Sequence, residues 1–196
     1  MDSAHARPLR LRRMSYAAAG WAFLYATYRG YYGFGGTFGM FGVPASDETW
    51  RAINLIAAAL LLGAAALPVV ALRLWDEVVF RRVLLAIAWV ITVGCVMHGI
   101  IDEMTRALSL AGVLEILYPA GFWASLDRRA ADLQDIVFNE PWFIVEGLLW
   151  AAIAAIVLGP SNARRWWMAS AAAAISLLVC VGLLSAFGII GRFVVG

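Results

Sequence analysis

Hydrophobic positions in this chain are grouped into long runs separated by short polar segments. A membrane-spanning helix needs about 20 largely apolar residues. Five runs meet or approach this length, and the first is the least apolar: 14–34, 52–74, 83–104, 139–159 and 167–191. The strict polar–apolar alternation of barrel strands is not seen in the sequence. The pattern predicts an all-α, single-domain bundle of five transmembrane helices.

Composition agrees with a protein that lies in a lipid bilayer. The chain is 63% hydrophobic and 14% charged, whereas about a quarter of the residues in a soluble domain are charged. Every one of its 15 basic residues is arginine. The lack of lysine excludes Schiff-base chemistry, and with it a retinal-binding rhodopsin. We predict no nucleic-acid partner, because the sequence offers no solvated basic surface.

The distribution of arginine predicts how the helices cross the membrane, because the arginine-richer side is usually cytoplasmic. The richer side would carry Arg7, Arg10, Arg12, Arg13, Arg73, Arg81, Arg82, Arg164 and Arg165, and the other Arg51, Arg106, Arg128, Arg129 and Arg192. We therefore expect a cytoplasmic N-terminus, an external C-terminus and a retained first helix. Abundant alanine and arginine are typical of high-GC bacteria, so a bacterial cytoplasmic membrane is the expected location.

Two connections are expected on the outer side of the membrane. The glycine-rich segment 33–45 is predicted to form tight turns and to allow close helix approach. Segment 106–127 is apolar but interrupted by Glu115 and Pro119, so we expect a short helix there that lies in the outer interface or folds over the mouth of the bundle. The following sequence, DRRAADLQD, is predicted to be solvated.

Two carboxylates fall inside the predicted spans. A charged residue at the centre of a bilayer costs roughly 2.5 kcal/mol or more, so it normally faces the protein interior and serves a purpose. At about 100° per residue, Glu146 shares a stripe of the fourth span with Asn139, Trp142, Phe143 and Trp150. Asp102 lies four residues after His98 and therefore on the same helix face.

The first span carries an aromatic stripe, which consists of Trp21, Tyr25, Tyr28 and Tyr32. Arg29 lies beside it and is a candidate ion-pair partner for Glu146 or Asp102. Three helices thus present polar and aromatic side chains at similar depth, which indicates one site. The alternative is structural, because a His–Asp pair is often only a hydrogen bond and aromatic residues also anchor helices at the interface.

Metal and cofactor sites are not predicted. His5 and His98 are the two histidines, so a bis-histidine haem site is excluded in the membrane, and zinc would need His98 with carboxylates alone. Cys95 and Cys180 lie in the middle of apolar runs and are expected to be free thiols. Ser–His–Asp patterns and phosphate-binding loops are also not found.

A carboxyl group removed from water favours its neutral form and can donate a proton. Aromatic faces stabilise a cation when water is excluded. Together they suit the protonation of an alkene or epoxide, followed by cyclisation or isomerisation of the resulting carbocation. An isoprenoid substrate could enter such a site from the bilayer.

Two segments carry a resemblance, YRGYYGFGGTFG in the first helix and loop and FNEPWFIVEGLLW in the fourth helix. They resemble small actinobacterial integral-membrane proteins. The size, helix count and embedded carboxylates are similar to those of the compact membrane-bound terpene cyclases of bacterial meroterpenoid pathways. The resemblance implies an acidic residue that protonates the prenyl chain of a prenylated substrate.

The sequence therefore favours a terpene cyclase-like membrane enzyme without a cofactor. Glu146 is the first candidate for the general acid. Asp102, polarised by His98, is the alternative acid or the base that removes the final proton. The remaining residues of the three stripes would bind the substrate. A non-catalytic subunit or a small-solute transporter is the alternative, although a transporter would more often show internal repeats.

Overall fold

The computed structural model describes residues 3–75, 77–118 and 121–191. In this part of the chain the architecture is all-α, with one short antiparallel pair of strands formed by two loops. The helices are α1 (Ser3–Gly33), α2 (Asp47–Leu74), α3 (Val78–Leu110), α4 (Arg128–Gln134), α5 (Glu140–Leu158) and α6 (Asn162–Ala186). Strand β1 (Gly42–Pro44) pairs antiparallel with β2 (Trp123–Leu126), which brings the α1–α2 and α3–α4 connections to the same end of the bundle.

Four helices within the described ranges are long and apolar enough to cross a membrane. They are Asp47–Leu74, Val78–Leu110, Arg128–Leu158 and Asn162–Ala186. These match the second to fifth runs of the sequence, so the prediction that these four runs form helices of spanning length and composition is confirmed. Helix α1 is not in this group, because its arginines together with its tyrosines and glycines make it the most polar of the long helices. The fifth span and the orientation stay predictions.

The helices pack as two pairs, with α1 along α2 and α3 along α5, while α6 lies against α3 and α1 also contacts α5. Residues from α1, α3 and α5 form most of the buried core, which includes Ala18, Ala88, Trp150, Ile153 and Ala154. This packing brings the buried sides of α1, α3 and α5 into contact in the interior of the bundle.

Two glycines bring α3 and α5 into unusually close contact. A Cβ atom at Gly99 would lie 2.6 Å from Ile144 Cγ1 and 3.0 Å from the Glu140 carbonyl oxygen. A Cβ atom at Gly147 would lie 2.6 Å from Val96 Cγ2. Small residues allow such close backbone approach between membrane helices. The contact holds the start of α5 directly against α3.

The α3–α4 connection differs from the predicted interfacial helix. Helix α3 continues to Leu110 and ends where Gly112 adopts a φ of 72°. In the described part of segment 111–127 the backbone is irregular and then extended in β2. The interfacial-helix prediction is therefore wrong for the described residues 111–118 and 121–127: α3 ends before Gly112, and Trp123–Leu126 pair with β1.

The segment DRRAADLQD is helical, and the prediction that it is solvated holds only for its exposed residues Asp127, Arg128, Arg129 and Leu133, because Ala131, Asp132 and Asp135 are buried. The Asp127 side chain caps α4 by accepting a hydrogen bond from the Ala130 N–H at 3.0 Å. Helix α4 then continues through a π-helical turn, Asp135–Asn139, into α5. A π-helical turn adds one residue to the helix and rotates the residues before it relative to those after it.

Candidate functional site

The described interior contains a group of charged side chains that lie mostly near the loop end of α3, α4 and α5. Their relative exposures are 3% for Asp102, 7% for Arg106, 3% for Asp132, 9% for Asp135, 3% for Glu140 and 7% for Glu146. Sequence reasoning identified Asp102 and Glu146 and missed the other four. Buried charged side chains need partners or a functional role.

His98, Asp102 and Glu140 form the tightest cluster, which we call the His–Asp–Glu cluster. His98 Nε2 lies 3.8 Å from Asp102 Oδ2 on the same helix and 3.7 Å from Glu140 Oε2 on α5. The His98 ring packs edge-on against Phe143, with centroids 4.7 Å apart. All three candidate ligand atoms lie within 4.8 Å of one another. The close α3–α5 contact at Gly99 makes this geometry possible.

A second group surrounds Arg106, which the sequence placed in an outer loop. Its Nη1 lies 3.3 Å from Asp132 Oδ1 and its Nε lies 3.1 Å from Asp135 Oδ2. The same Nη1 donates to Tyr118 Oη at 2.7 Å, and Ser109 Oγ donates to Asp132 Oδ2 at 2.6 Å. One arginine thus compensates two buried carboxylates, which explains why Arg106 is buried and not in solvent.

Tyr118 lies outside the membrane-spanning segments and completes this group from the loop side. Its hydroxyl lies 3.3 Å from Asp132 Oδ1. Burial raises the pKa of Tyr118 to about 12, with the Arg106 guanidinium acting in the opposite direction and Asp132 adding to the increase. The phenol is therefore neutral at ordinary pH and can donate a hydrogen bond to the carboxylate.

Hydrogen bonds connect this polar interior to α1. Asn139 Nδ2 donates to Asp135 Oδ1 at 2.7 Å, and Tyr25 Oη donates to Asn139 Oδ1 at 3.3 Å. Gln134 Nε2 donates to Tyr28 Oη at 2.7 Å. Two tyrosines of the predicted aromatic stripe therefore contact the α4–α5 helix through its amide side chains.

Aromatic rings of α1 and α5 pack directly on one another. The indoles of Trp21 and Trp142 are stacked with centroids 4.0 Å apart, and Trp21 Nε1 donates to the Trp142 carbonyl oxygen at 3.0 Å. The Tyr25 ring lies 5.3 Å from that of Trp142, 5.6 Å from that of Tyr28 and 5.6 Å from that of Phe143. The structure thus brings together the first-helix and fourth-run stripes of the sequence.

Glu146 lies apart from the His–Asp–Glu cluster. It is six residues after Glu140, which is about 9 Å along a helix. Its Oε1 accepts a hydrogen bond from Trp150 Nε1 at 2.8 Å. Within the described ranges, no donor reaches its buried Oε2. Glu146 therefore has one anchored oxygen and one free oxygen in an apolar setting.

Arg29 and Tyr32 are placed differently from the other predicted site residues. Arg29 forms no ion pair with Glu146 or Asp102 in the part of the chain that the structure describes, so that pairing is not found. It lines a cavity of about 30 Å³ whose walls also include Tyr28 and Asn139. The arginine that does pair with buried carboxylates is Arg106, and its partners are Asp132 and Asp135.

Tyr32 is buried, and its hydroxyl donates a hydrogen bond to the Phe38 carbonyl oxygen at 3.1 Å.

Two larger cavities open among the loops at the same end. One of about 270 Å³ lies between the glycine-rich loop and the start of α2, beside Trp50 and Arg51. The other, of about 580 Å³, is a polar groove whose walls include Ser109, Tyr118 and Asp132. The second groove therefore reaches the Arg106 group from outside.

The free cysteines agree with the sequence prediction, since Cys95 and Cys180 are both unpaired thiols.

No curated protein and no solved structure matches the chain. A family model described as "Protein of unknown function (DUF3995)" matches residues 22–150. The match contains the His–Asp–Glu cluster, the Arg106 group and Glu146. On this match, which covers well over half of the sequence, the chain belongs to the DUF3995 family.

Proposed function

We propose that the protein is an integral membrane enzyme that uses a buried carboxylic acid to start carbocation chemistry on an isoprenoid substrate. The observation that carries this proposal is the position of Glu146. Its side chain is buried, its Oε2 is free of hydrogen-bond donors within the described ranges, and it follows Trp142 by one helical turn. An acid beside aromatic rings is the arrangement that this chemistry needs.

The hydrogen bond from Trp150 defines the role of each Glu146 oxygen. Because Oε1 accepts from the indole N–H, Oε2 is the atom that would carry the proton. Among the described residues, no arginine or histidine forms an ion pair with this carboxyl group. An apolar, unpaired setting favours the neutral acid, which is the form that can protonate an alkene or epoxide.

The neighbouring aromatic rings would stabilise the positive charge that follows. Tryptophan and tyrosine faces attract cations, and the attraction increases when water is excluded. The proton added to the substrate is balanced by loss of a proton from another carbon, so the reaction needs no oxidant or reductant. Because Trp21 and Trp142 are stacked at 4.0 Å, substrate entry would require the two indoles to separate.

The membrane arrangement proposed here has five spans, with α1 as the fifth, a cytoplasmic N-terminus and an external C-terminus. Helix α3 has 33 residues and the α4–α5 helix has 31. At about 1.5 Å per residue, both exceed a hydrocarbon core of about 30 Å. Their shared loop end, with Arg106 and Asp132, would lie at the external headgroup level of a bacterial cytoplasmic membrane.

Amide substitutions test this proposal directly. Membranes that contain the wild-type protein or one variant are incubated with a farnesylated phenol or its terminal epoxide, and isomeric products are identified by mass spectrometry and NMR. General acid catalysis is typically worth about 100- to 10,000-fold, so Glu146→Gln should reduce turnover by this factor. Asp102→Asn tests the alternative acid. Glu103→Gln is the matched control, since Glu103 is a half-buried carboxylate on α3 outside the cluster.

Two results would count against the enzyme. One is the absence of any product with wild-type membranes and both substrates. The other is full turnover in both Glu146→Gln and Asp102→Asn. Either result would favour a non-catalytic membrane subunit, in which the polar interior only fixes the packing of the helices.

A further inference from the structure

We propose that His98, Asp102 and Glu140 bind a divalent transition-metal ion of the zinc type. This inference goes beyond the proposed function, which depends on Glu146 and needs no metal. It assigns His98 and Asp102 the role of ligands and adds Glu140, a residue that the helical pattern of the sequence did not select.

The geometry of the His–Asp–Glu cluster is close to that of a metal site. Metal–ligand bonds of about 2.0–2.2 Å place neighbouring ligand atoms of a tetrahedral site about 3.4 Å apart. His98 Nε2 is 3.8 Å from Asp102 Oδ2 and 3.7 Å from Glu140 Oε2. These separations are too long for hydrogen bonds. The two His98 separations need a contraction of a few tenths of an ångström, and the Asp102 and Glu140 oxygens, which lie within 4.8 Å of each other, would move together by up to about 1.4 Å to reach the tetrahedral spacing.

Glu140 gives an independent indication of a missing ligand. The residue is only 3% exposed, and its Oε2 has no hydrogen-bond partner among residues 3–75, 77–118 and 121–191. This oxygen is the atom that points at His98 Nε2. A buried carboxylate oxygen without a partner is costly, and coordination to a cation would remove that cost.

The balance of charge around the cluster also favours a dication. Arg106 lies against Asp132 and Asp135, so it is already shared by two carboxylates. Within ion-pair distance Asp102 and Glu140 have only His98 in the described structure, and Arg106 acts on both from farther away. Metal ligation requires both carboxylates in the ionised form, and a divalent cation neutralises the charge of −2 that they then carry.

The donor set selects the class of metal. Calcium and magnesium prefer sites made of oxygen ligands alone, whereas imidazole nitrogen suits zinc, iron, cobalt and related ions. Three protein ligands leave a coordination position for water or another molecule, as in catalytic zinc sites. The His98 side chain is 28% exposed, so one side of the cluster is accessible.

Metal binding can be measured on the full chain purified in detergent with a tag that contains no histidine. After chelator treatment, Co²⁺ is titrated while its visible d–d absorption is recorded, and Zn²⁺ is then used as competitor. We expect saturation at one equivalent per chain. His98→Ala and Glu140→Gln should each weaken binding at least tenfold. His5→Ala and Glu146→Gln are the controls and should bind like the wild type.

Metal-dependent stabilisation supplies a second measurement that does not need activity. Zn²⁺ should raise the Tm of the wild type and of Glu146→Gln, and leave that of Glu140→Gln unchanged. If His98→Ala does not fold, Asp102→Asn replaces it as the second ligand variant. Lack of saturable binding by the wild type, or binding that persists in all ligand variants, would overturn the metal site. Because Glu146→Gln keeps the metal but loses turnover, failure of this inference is distinct from failure of the proposed enzyme.

Discussion

Trp21 and Trp142 are joined by two contacts, a ring stack at 4.0 Å and a hydrogen bond from the Trp21 indole to the Trp142 carbonyl at 3.0 Å. The pair connects the most polar long helix, α1, to the most apolar one, α5. Stacked aromatic pairs stabilise by about 0.5–1.5 kcal/mol beyond their buried area. Packing of this kind allows α1 to lie inside the bundle although its composition alone does not mark it as a span.

Topology is the first prediction. If α1 spans the membrane, the N-terminus and the α1–α2 loop lie on opposite sides. With Cys95 and Cys180 replaced by serine, Thr37→Cys should react with an impermeant thiol reagent in intact cells, while Asn162→Cys should react only after lysis; both positions are exposed. A reporter fused to the N-terminus should be cytoplasmic. An N-terminus and Thr37→Cys on the same side would contradict the five-span arrangement.

The α3–α5 contact is expected to tolerate no added methyl group. Gly99→Ala and Gly147→Ala each place a Cβ about 2.6 Å from a neighbouring side chain, and overpacking typically costs about 1–3 kcal/mol. Both should lower the Tm in detergent and weaken metal binding. Gly94→Ala is the matched control on α3, because nothing lies within 4 Å of its added Cβ. A Tm decrease in the control equal to that of Gly147→Ala would argue against the close contact.

Arg106 is predicted to stabilise the fold far more than Arg128, an exposed arginine at the same end of the helix bundle. Arg106→Met leaves Asp132 and Asp135 buried without a cation, which typically costs about 3–5 kcal/mol. Arg128 and Glu115 form an ion pair at 3.0 Å with side chains 57% and 72% exposed, and such pairs contribute about 0–1 kcal/mol. Denaturant unfolding in detergent should therefore separate Arg106→Met from Arg128→Met. Equal effects would mean that Arg106 does not compensate these carboxylates.

The buried phenol of Tyr118 is expected to make the folded protein less stable at alkaline pH. Burial raises its pKa from 10.0 to about 12 in the folded protein, so the native state holds the proton where the unfolded state has lost it. The stabilisation is complete below pH 10 and is lost as the pH rises towards 12. Between these values the Tm of the wild type should fall more steeply than that of Tyr118→Phe. Parallel Tm curves would show that the phenol titrates normally.

The helical period of the sequence correctly placed Glu146 and Trp150 in the interior, because α5 is a regular α-helix after Glu140. It missed Glu140 because, at about 100° per residue, this residue lies about 120° from Glu146 on the same helix and faces His98 of α3. It missed Asp135 because the predicted span starts at 139, after the π-helical turn that joins α4 to α5. Hydropathy cannot reveal such a turn, since it is stabilised by contacts between distant segments.

Arg106 shows a second limit of sequence reasoning. Asp102, Glu103 and Arg106 follow one another closely at the end of the third run, so the sequence predicts that the span ends at 104 and that Arg106 lies in the following loop. In the structure α3 continues to Leu110, and Asp132 and Asp135 lie against the guanidinium. Burial of this arginine depends on partners about 30 residues away. Asp132 and Asp135 are three residues apart in DLQD, and this spacing indicates a helix with both carboxylates on one face.

Transfer of a carboxyl proton to a substrate carbon defines the proposed reaction, and deuterium labelling follows it most directly. Wild-type membranes equilibrated in D₂O and given the farnesylated phenol should form an isomer with one non-exchangeable deuterium at the protonated carbon, and Glu146→Gln membranes should form none. Glu103→Gln membranes should behave like the wild type. An unlabelled isomer from the wild type, or a labelled product formed equally by Glu146→Gln, would contradict proton donation by Glu146.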